Sequence, residues 1–227
     1  MSKLFIIPTP IGNLSDISHR AIQTLFLVDI LLCEDTRTTQ KLLQHYKKNE
    51  QKLPKLIAYH EHNEESLIPQ VLLWLNQGKN IGIVSDAGTP LISDPGFQLV
   101  KKCRQKNIQV IPIPGANAAI TALSAAGLPT NNFLYLGFLP KKEIHMLKLL
   151  SKIQKLPIKT TIIFYQSPQR MPATIQTLKS IWGEDLKLTI ARELTKIYED
   201  ISTKTLKEWS LQTEFRGEIV GLFRLAR

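Results

Sequence analysis

The segment SDAGTPLISDPG, Ser85 to Gly96, decides how this 227-residue sequence is read. It follows an apolar, strand-like run, Ile81 to Val84, and precedes an amphipathic helical pattern. A loop this dense in Gly, Pro, Asp and Ser at the carboxyl end of a strand is built for contact. Gly88 and Gly96 let backbone approach a ligand closely, while Ser85, Asp86 and Thr89 supply polar side chains. Asp94-Pro95 reads as an N-cap followed by proline at N1. Ligands of open α/β sheets sit outside the carboxyl ends of the strands, so this loop is the expected wall of a small-molecule site.

On both sides of the loop, strand-like and helix-like segments alternate. Strands are expected at Leu4–Ile7, Asp29–Cys33, Leu56–Tyr59, Asn80–Val84 and Gln109–Pro112, and helices at Asp16–Val28, Arg37–Tyr46, Glu64–Asn76 and Asp94–Lys106. This rhythm predicts a mainly parallel sheet covered by helices. The small-residue stretch PIPGANAAITALSAAGLPT, Pro112 to Thr130, reads as the join between two units. The expectation is an α/β fold of two α/β domains, residues 1–115 and 116–227, with a cofactor cleft between them. In the second, strands at Phe133–Gly137, Thr160–Tyr165, Lys187–Ala191 and Glu218–Leu225 alternate with helices at Lys142–Lys155 and Pro168–Trp182. A strand near Tyr198–Thr203 is expected to pair antiparallel, which makes the second sheet mixed.

Composition narrows the class. Lys and Arg number 29 against 19 Asp and Glu, a formal charge of +10. Such a balance suits a polyanionic partner, or else a solvated lysine-rich surface. The lysines are scattered, at Lys47 and Lys48, Lys101 and Lys102, Lys141 and Lys142, and from Lys148 to Lys159, which favours a broad phosphate-contacting face over a tail. The longest apolar run, Leu25 to Cys33, is short and carries Asp29, so no membrane span is expected. Phe5 to Ile7 is cut by Pro8 and Pro10 and does not make a signal peptide. Cys33 and Cys103 read as reduced core thiols of a cytoplasmic protein, and no Cys/His spacing implies a metal.

Five polar loops follow the five strands of the first unit. They are PTPIGN (Pro8–Asn13), CEDTR (Cys33–Arg37), YHEHNEE (Tyr59–Glu65), the 85–96 loop and PIPG (Pro112–Gly115). In a parallel sheet these ends share one edge, where distant polar groups converge. Taken singly, Asp35 and Arg37 are equally a helix cap with its ion pair, and His60 and His62 are equally solvated loop residues. In the second unit FYQSPQR (Phe164–Arg170) and ARELTK (Ala191–Lys196) each follow a strand. Arg192, Glu193 and Lys196 suit phosphate binding or the orienting of a hydroxyl, or a structural Arg–Glu pair. No dinucleotide fingerprint, Walker loop or nucleophile elbow is present in the sequence.

PTPIGN, EDTR, HEHNE, SDAGTPLISDPG, PIPGANA, GFLP, FYQSP and RELTK occur in this order. Together they resemble the tetrapyrrole methylase superfamily and, within it, the small-subunit ribosomal RNA ribose 2′-O-methyltransferases, which act on a cytidine of 16S RNA. The resemblance runs from Leu4 to about Leu222. It implies S-adenosylmethionine as cofactor, ribosomal RNA or the small ribosomal subunit as partner, and a homodimer. The QSPQR stretch, with Gln166 and Gln169, stands where the family usually has Glu and His. Members often carry a further carboxy-terminal helical module, which this sequence, ending at Arg227, is expected to lack.

By the same resemblance the cofactor is expected against Pro10, Ile11, Asp86, Ala87, Gly88, Leu91, Asn117, Ala118, Gln166 and Gly217. Substrate is expected against Arg37, His60, Arg170 and Arg192. A ribose hydroxyl is a poor nucleophile and gains from a base or a polarising cation. Glu34, Asp35, Glu193 and Lys196 are the catalytic candidates, and the residues alone do not choose among them. Two other functions fit the sequence: methylation of a tetrapyrrole-like small molecule, and non-catalytic binding at the ribosome.

Overall fold

The computed structural model describes residues 2–48, 51–212 and 214–225 and divides into two compact units, residues 1–117 and 118–227. Strands of the first unit are β1 (Lys3–Ile6), β2 (Ile30–Cys33), β3 (Lys55–Ala58), β4 (Ile81–Val84) and β5 (Gln109–Pro112). Its helices are α1 (His19–Leu27), α2 (Thr36–Tyr46), α3 (Glu64–Asn76) and α4 (Phe97–Gln105). The strands lie in the order β3-β2-β4-β1-β5, and every pairing is parallel.

Period-two alternation puts both faces of this sheet under helices. Leu4, Ile6, Leu32, Ile81 and Ile83 pack with Val71 and Leu75 of α3 and Leu99 and Cys103 of α4. Phe5, Ile7, Leu31 and Cys33 pack with Ala21 and Leu25 of α1 and Leu43 of α2. Both cysteines are buried free thiols.

The second unit begins with α5 (Ala118–Ala125) and continues through β6 (Phe133–Phe138), α6 (Glu143–Gln154), β7 (Thr160–Gln166), α7 (Met171–Trp182), β8 (Lys187–Arg192), β9 (Asp200–Thr205), α8 (Leu206–Trp209) and β10 (Ile219–Leu225). The sheet order is β6-β7-β10-β8-β9; β6 pairs parallel with β7, and the other pairings are antiparallel. Two α/β domains, one sheet parallel and the next mixed, are therefore the architecture. Met146, Leu150 and Ile153 of α6 and Met171, Ile175 and Leu178 of α7 share one core with Phe164, Leu188, Phe223 and Trp209. The small-residue helix α5 packs against β7 and β10.

Local chemistry moves several helix starts. The expected helix at Asp16 is a 3₁₀ turn, Leu14–Asp16, and α1 begins only after Ser18, whose hydroxyl accepts from Ala21 N at 3.1 Å. Asp94-Pro95 does not cap α4: Gly96 is the N-cap residue at φ 125, and the helix starts at Phe97. A side chain at Gly96 is strained in that conformation, so glycine and not aspartate sets the boundary. Ser167 and Pro168 open a 3₁₀ turn, Pro168–Arg170, before α7 starts at Met171. Thr205 and Glu208 form a reciprocal capping box at α8. Among the described residues no helix is long and apolar enough to cross a membrane.

The core of the second unit closes over a glycine in mid-strand. Gly221 of β10 lies opposite Phe164 of β7, and a Cβ there would meet the Phe164 ring at 2.2–2.8 Å. Gly221→Ala overpacks this core and lowers unfolding free energy by about 1–3 kcal/mol. Gly78→Ala, at φ +86 with nothing within 4 Å, carries backbone strain alone and loses roughly 1 kcal/mol. Chemical denaturation of the two variants reads the contrast.

Candidate active site

All five loops of the first unit leave the carboxyl edge of one parallel sheet, and hydrogen bonds tie them together. Thr9 N donates to Gly88 O at 2.9 Å and Gly88 N to Thr9 O at 3.1 Å, a two-way bridge between the β1 and β4 loops. Thr9 Oγ1 donates to Ser85 O at 3.0 Å, and Thr89 Oγ1 to Ala116 O at 2.8 Å. Gly88 sits at φ +83, and a Cβ there would lie 3.2 Å from Ile11 Cγ2. Pro10 and Ile11 are buried beneath this bridge, whereas Asp86 and Ala87 stand exposed next to it. Leu91 holds the left-handed region at φ 72, an uncommon conformation for a leucine. The structure thus brings Pro10, Ile11, Asp86, Ala87 and Gly88 to one edge.

The carboxylates on this edge differ in kind. Asp35 is the N-cap residue of α2: its Oδ1 accepts from Arg37 N at 2.8 Å and from Arg37 Nε at 3.1 Å, and its Oδ2 accepts from Arg37 Nη2 at 2.7 Å. The Arg37 side chain and these N–H donors hold the Asp35 carboxyl down to about 2. Cap and ion pair thus coexist, and Arg37 is tied to its neighbour rather than free.

Asp86 accepts from Asp35 N at 3.2 Å through Oδ1. Its pKa is raised, first by desolvation and then by the charge of Asp35. Glu34 is raised by desolvation and by the charges of Asp86, Asp94 and Glu61, with His60 opposing. Asp94 is raised by desolvation and Asp86, while a hydrogen bond with Ser85 works the other way. His60 Nδ1 is buried and has no hydrogen-bond partner among the described residues. The edge therefore carries negative charge that its neighbours leave under-neutralised, in a chain whose formal charge is +10.

Asp94 and Glu64 belong to this edge, although sequence reasoning gave them no functional role. Asp94 reads as a helix cap, yet its carboxylate hydrogen-bonds with Ser85 and faces the like charge of Asp86. Glu64 Oε2 accepts from Gly96 N at 2.9 Å, tying the third loop to the fourth. The available signal was the repetition of Asp within one twelve-residue loop, which a capping rule explains away too readily.

In the second unit the loop after β8 has its own built geometry. Glu193 and Thr195 adopt left-handed φ values of 50 and 66, each costing of order 1–2 kcal/mol for a non-glycine residue. Glu193 N donates to Glu218 O at 3.0 Å, and Glu218 N donates to Glu193 Oε1 at 2.8 Å. Lys196 Nζ bridges Glu193 Oε1 at 3.1 Å and Glu218 Oε2 at 3.0 Å. A Cβ at Gly217 would fall 2.5 Å from the Glu193 carboxyl, so the glycine makes room for that carboxylate. Glu193 is lowered, chiefly by the Glu218 N–H. Desolvation pulls Lys196 down, but the two carboxylates outweigh it and leave its pKa raised. Lys196 is thus a fixed cation and Glu193 a fixed anion. Glu218, the third member, was not singled out in the sequence.

The other candidates of this unit have specific partners. Arg192 lines a cavity of about 380 Å³ with Lys204, Trp209, Glu214, Phe215 and Arg216. Arg170 Nη2 donates to Leu139 O at 2.8 Å and Pro140 O at 2.6 Å, clasping the GFLP turn. Gln166 is buried; its Nε2 donates to Thr174 Oγ1 at 2.8 Å and its Oε1 accepts from Ser167 N at 3.0 Å. Ala118 opens α5, directly after Asn117. Among the described residues no group of three or more His, Cys, Asp or Glu could hold a metal ion.

Residues 3–210 match the family model "Tetrapyrrole (Corrin/Porphyrin) Methylases". The chain is 46% identical over 223 residues to ribosomal RNA small subunit methyltransferase I of Escherichia coli O157:H7, covering 96% of this chain and 76% of that one. It is 44% identical over 221 residues to the protein of the same name from Bacillus subtilis, at 96% and 73% coverage. Among solved structures, a diphthine synthase aligns with TM-score 0.71 at 12% identity, over 98% of this chain and 90% of that one. A cobalt precorrin-4 methyltransferase aligns with TM-score 0.64 at 17% identity, over 97% and 94%. At such identities these two structures speak for the fold alone.

The raised carboxyls predict a stability cost with a definite sign. Asp86 and Asp94 hold protons more readily folded than unfolded, so stability is full below the ordinary carboxylate range and declines as pH rises through their folded values. Asp94→Asn therefore raises the thermal midpoint near neutral pH, and the more exposed Asp86→Asn raises it by less. At about pH 3, below the ordinary Asp value, the gain vanishes. Calorimetry at both pH values checks this.

Proposed function

The chain belongs to the tetrapyrrole (corrin/porphyrin) methylase family, and we propose that it transfers the methyl group of S-adenosylmethionine to the ribose 2′-hydroxyl of a cytidine in 16S ribosomal RNA. The observation that carries this reading is the sequence match, along nearly its whole length, to small-subunit ribosomal RNA methyltransferases. The carboxyl edge of the first sheet supports it chemically. S-adenosylmethionine carries a sulfonium and an ammonium, and the under-neutralised Asp86, Asp94 and Glu34 suit a cationic ligand. Pro10, Ile11, Ala87, Gly88 and Leu91 would hold it through backbone and apolar contact, with Asn117, Ala118, Gln166 and Gly217 the further positions carried over from the resemblance.

When bound, S-adenosylmethionine supplies an electrophilic methyl on a good leaving group, so the protein's task is alignment and proton removal. Among the four catalytic candidates only Glu34 has a carboxyl pushed upward, toward useful basicity. Asp35 is held too low for that role and positions Asp86 through its backbone N–H. We assign Glu34 as the general base that takes the hydroxyl proton. Lys196, held cationic by Glu193 and Glu218, anchors phosphate, with Arg192 beside it in sequence. A ribosomal substrate sets the work in the cytoplasm, and the homodimer stays part of the proposal.

Titration calorimetry with S-adenosylmethionine and 2′-O-methyl mapping of 16S RNA from a deletion strain test the whole reading. Binding of the donor together with loss of one cytidine methyl is expected; an unchanged methylation map overturns the substrate. Glu34→Gln is expected to lower kcat by about 100-fold while donor affinity is retained. The base works deprotonated, so the wild-type rate climbs with pH through the Glu34 pKa and the variant loses that limb. A Glu34→Gln protein with wild-type kcat removes Glu34 from the chemistry.

A further inference from the structure

Half of the formal +10 charge lies in residues 141–159, where six lysines stand against one glutamate. Lys141, Lys142, Lys148, Lys152, Lys155 and Lys159 are all exposed, and among the described residues none of them forms an ion pair. His145, Lys148, Lys152 and Lys155 are spaced three and four apart, which sets them in one stripe along α6. The stripe runs about 15 Å at 1.5 Å per residue. The opposite face, Met146, Leu150 and Ile153, is buried in the core. Like charges at these spacings destabilise a helix, and Glu143 is the helix's single carboxylate.

Three residues before Lys141, Phe138 is 62% exposed. Its backbone is nonetheless fixed. Gly137 at φ 65 takes up a register shift between β6 and β7, and Leu139 N donates to Tyr165 O at 3.3 Å. Arg170 clasps the carbonyls of Leu139 and Pro140, and the Phe138 ring meets Tyr165 edge-on, with centroids 5.4 Å apart. An aromatic face on a held turn that leads into a helix of unpaired cations is the combination that binds single-stranded nucleic acid, stacking a base and tracking phosphates.

We propose that α6 and the GFLP turn before it form an RNA-docking ridge, in which Lys148, Lys152 and Lys155 take phosphates and Phe138 stacks on an unpaired base. The proposal rests on the reading of the substrate as ribosomal RNA and adds where that RNA is gripped away from the reacting hydroxyl. Arg170, by holding the turn, is then a positioning residue for Phe138 rather than a phosphate anchor.

The test measures binding of deproteinised 16S RNA over a salt series, with methylation of small ribosomal subunits in parallel. The Lys148→Gln/Lys152→Gln/Lys155→Gln protein is compared with Lys101→Gln/Lys102→Gln/Lys106→Gln, which removes equal charge from exposed positions on and after α4. For the α6 protein the slope of log affinity against log salt falls by about 2–3, and KM for subunits rises at unchanged kcat. The α4 protein keeps a slope closer to that of the wild type. Phe138→Leu weakens binding by roughly tenfold with the slope unchanged. Equal losses in the two triple variants, no loss in the α6 variant, or binding to phosphatidylglycerol vesicles in preference to RNA overturns the ridge. A wild-type protein that fails to methylate subunits but binds RNA through α6 overturns the enzymatic reading and leaves the ridge standing.

Discussion

The two-way backbone bridge between Thr9 and Gly88 is the constraint on which the loop edge of the first unit depends. β1 and β4 are parallel neighbours, so their following loops leave the sheet side by side with no ladder to hold them. Beyond the strands a single antiparallel bridge, Thr9 with Gly88, joins the two loops. It requires Gly88 at positive φ, and it leaves Asp86 and Ala87 projecting from a pinned backbone. Thr9 Oγ1 and Thr89 Oγ1 spend their hydrogen bonds on carbonyls of Ser85 and Ala116, which fixes the same edge from two further directions. Preorganisation of this kind lowers the ordering cost that a ligand would otherwise meet.

On that fixed edge, electrostatics works against the fold. Asp86, Asp94 and Glu34 all have pKa values raised by partial desolvation and by neighbouring carboxylates, so ionising them works against the fold. A cation placed among these carboxylates would offset that repulsion by attraction. In the second unit the logic inverts. Lys196 is paired by both Glu193 and Glu218 within a strained turn, and the unpaired positive charge lies instead in the lysines around α6. Negative charge is left open in one place and positive charge in another, as a protein handling both a cationic small molecule and a polyanion requires.

Much of this was legible in the sequence because it follows from periodicity. Apolar strands alternating with helical patterns leave little choice but a parallel sheet, and a parallel sheet brings its carboxyl-end loops to one edge. The places where reading by rule failed are those where two local rules compete. Asp94-Pro95 satisfies the cap-and-proline signature, but Gly96 alone tolerates φ 125, and the helix waits for it. Asp16 precedes an apolar helical pattern, yet Ser18 captures the Ala21 N–H as N-cap and the helix starts at His19, three residues later. Asp35 read equally as catalyst and as cap; the structure shows the cap, with the Arg37 side chain folded back on it. No sequence pattern specifies that rotamer. Glu218 was invisible because its partner, Lys196, is 22 residues away and meets it only through the turn after β8.

Strain in that turn shows which of its contacts must come first. Glu193 and Thr195 hold left-handed φ values that glycine would adopt more cheaply, and no glycine stands there. The side chain of Glu193 is what requires the arrangement: its carboxylate accepts both the Glu218 N–H and the Lys196 ammonium. It fits only because residue 217 has no Cβ. A glycine at 193 would relieve the backbone and delete the group that holds Lys196. Glycine has therefore been placed at 217, opposite the carboxylate, rather than at 193 where the φ is strained. The strained turn carries an ion-paired cation whose position two carboxylates fix. The backbone geometry of the turn follows from the demand of holding the Glu193 carboxylate against the Glu218 N–H and the Lys196 ammonium.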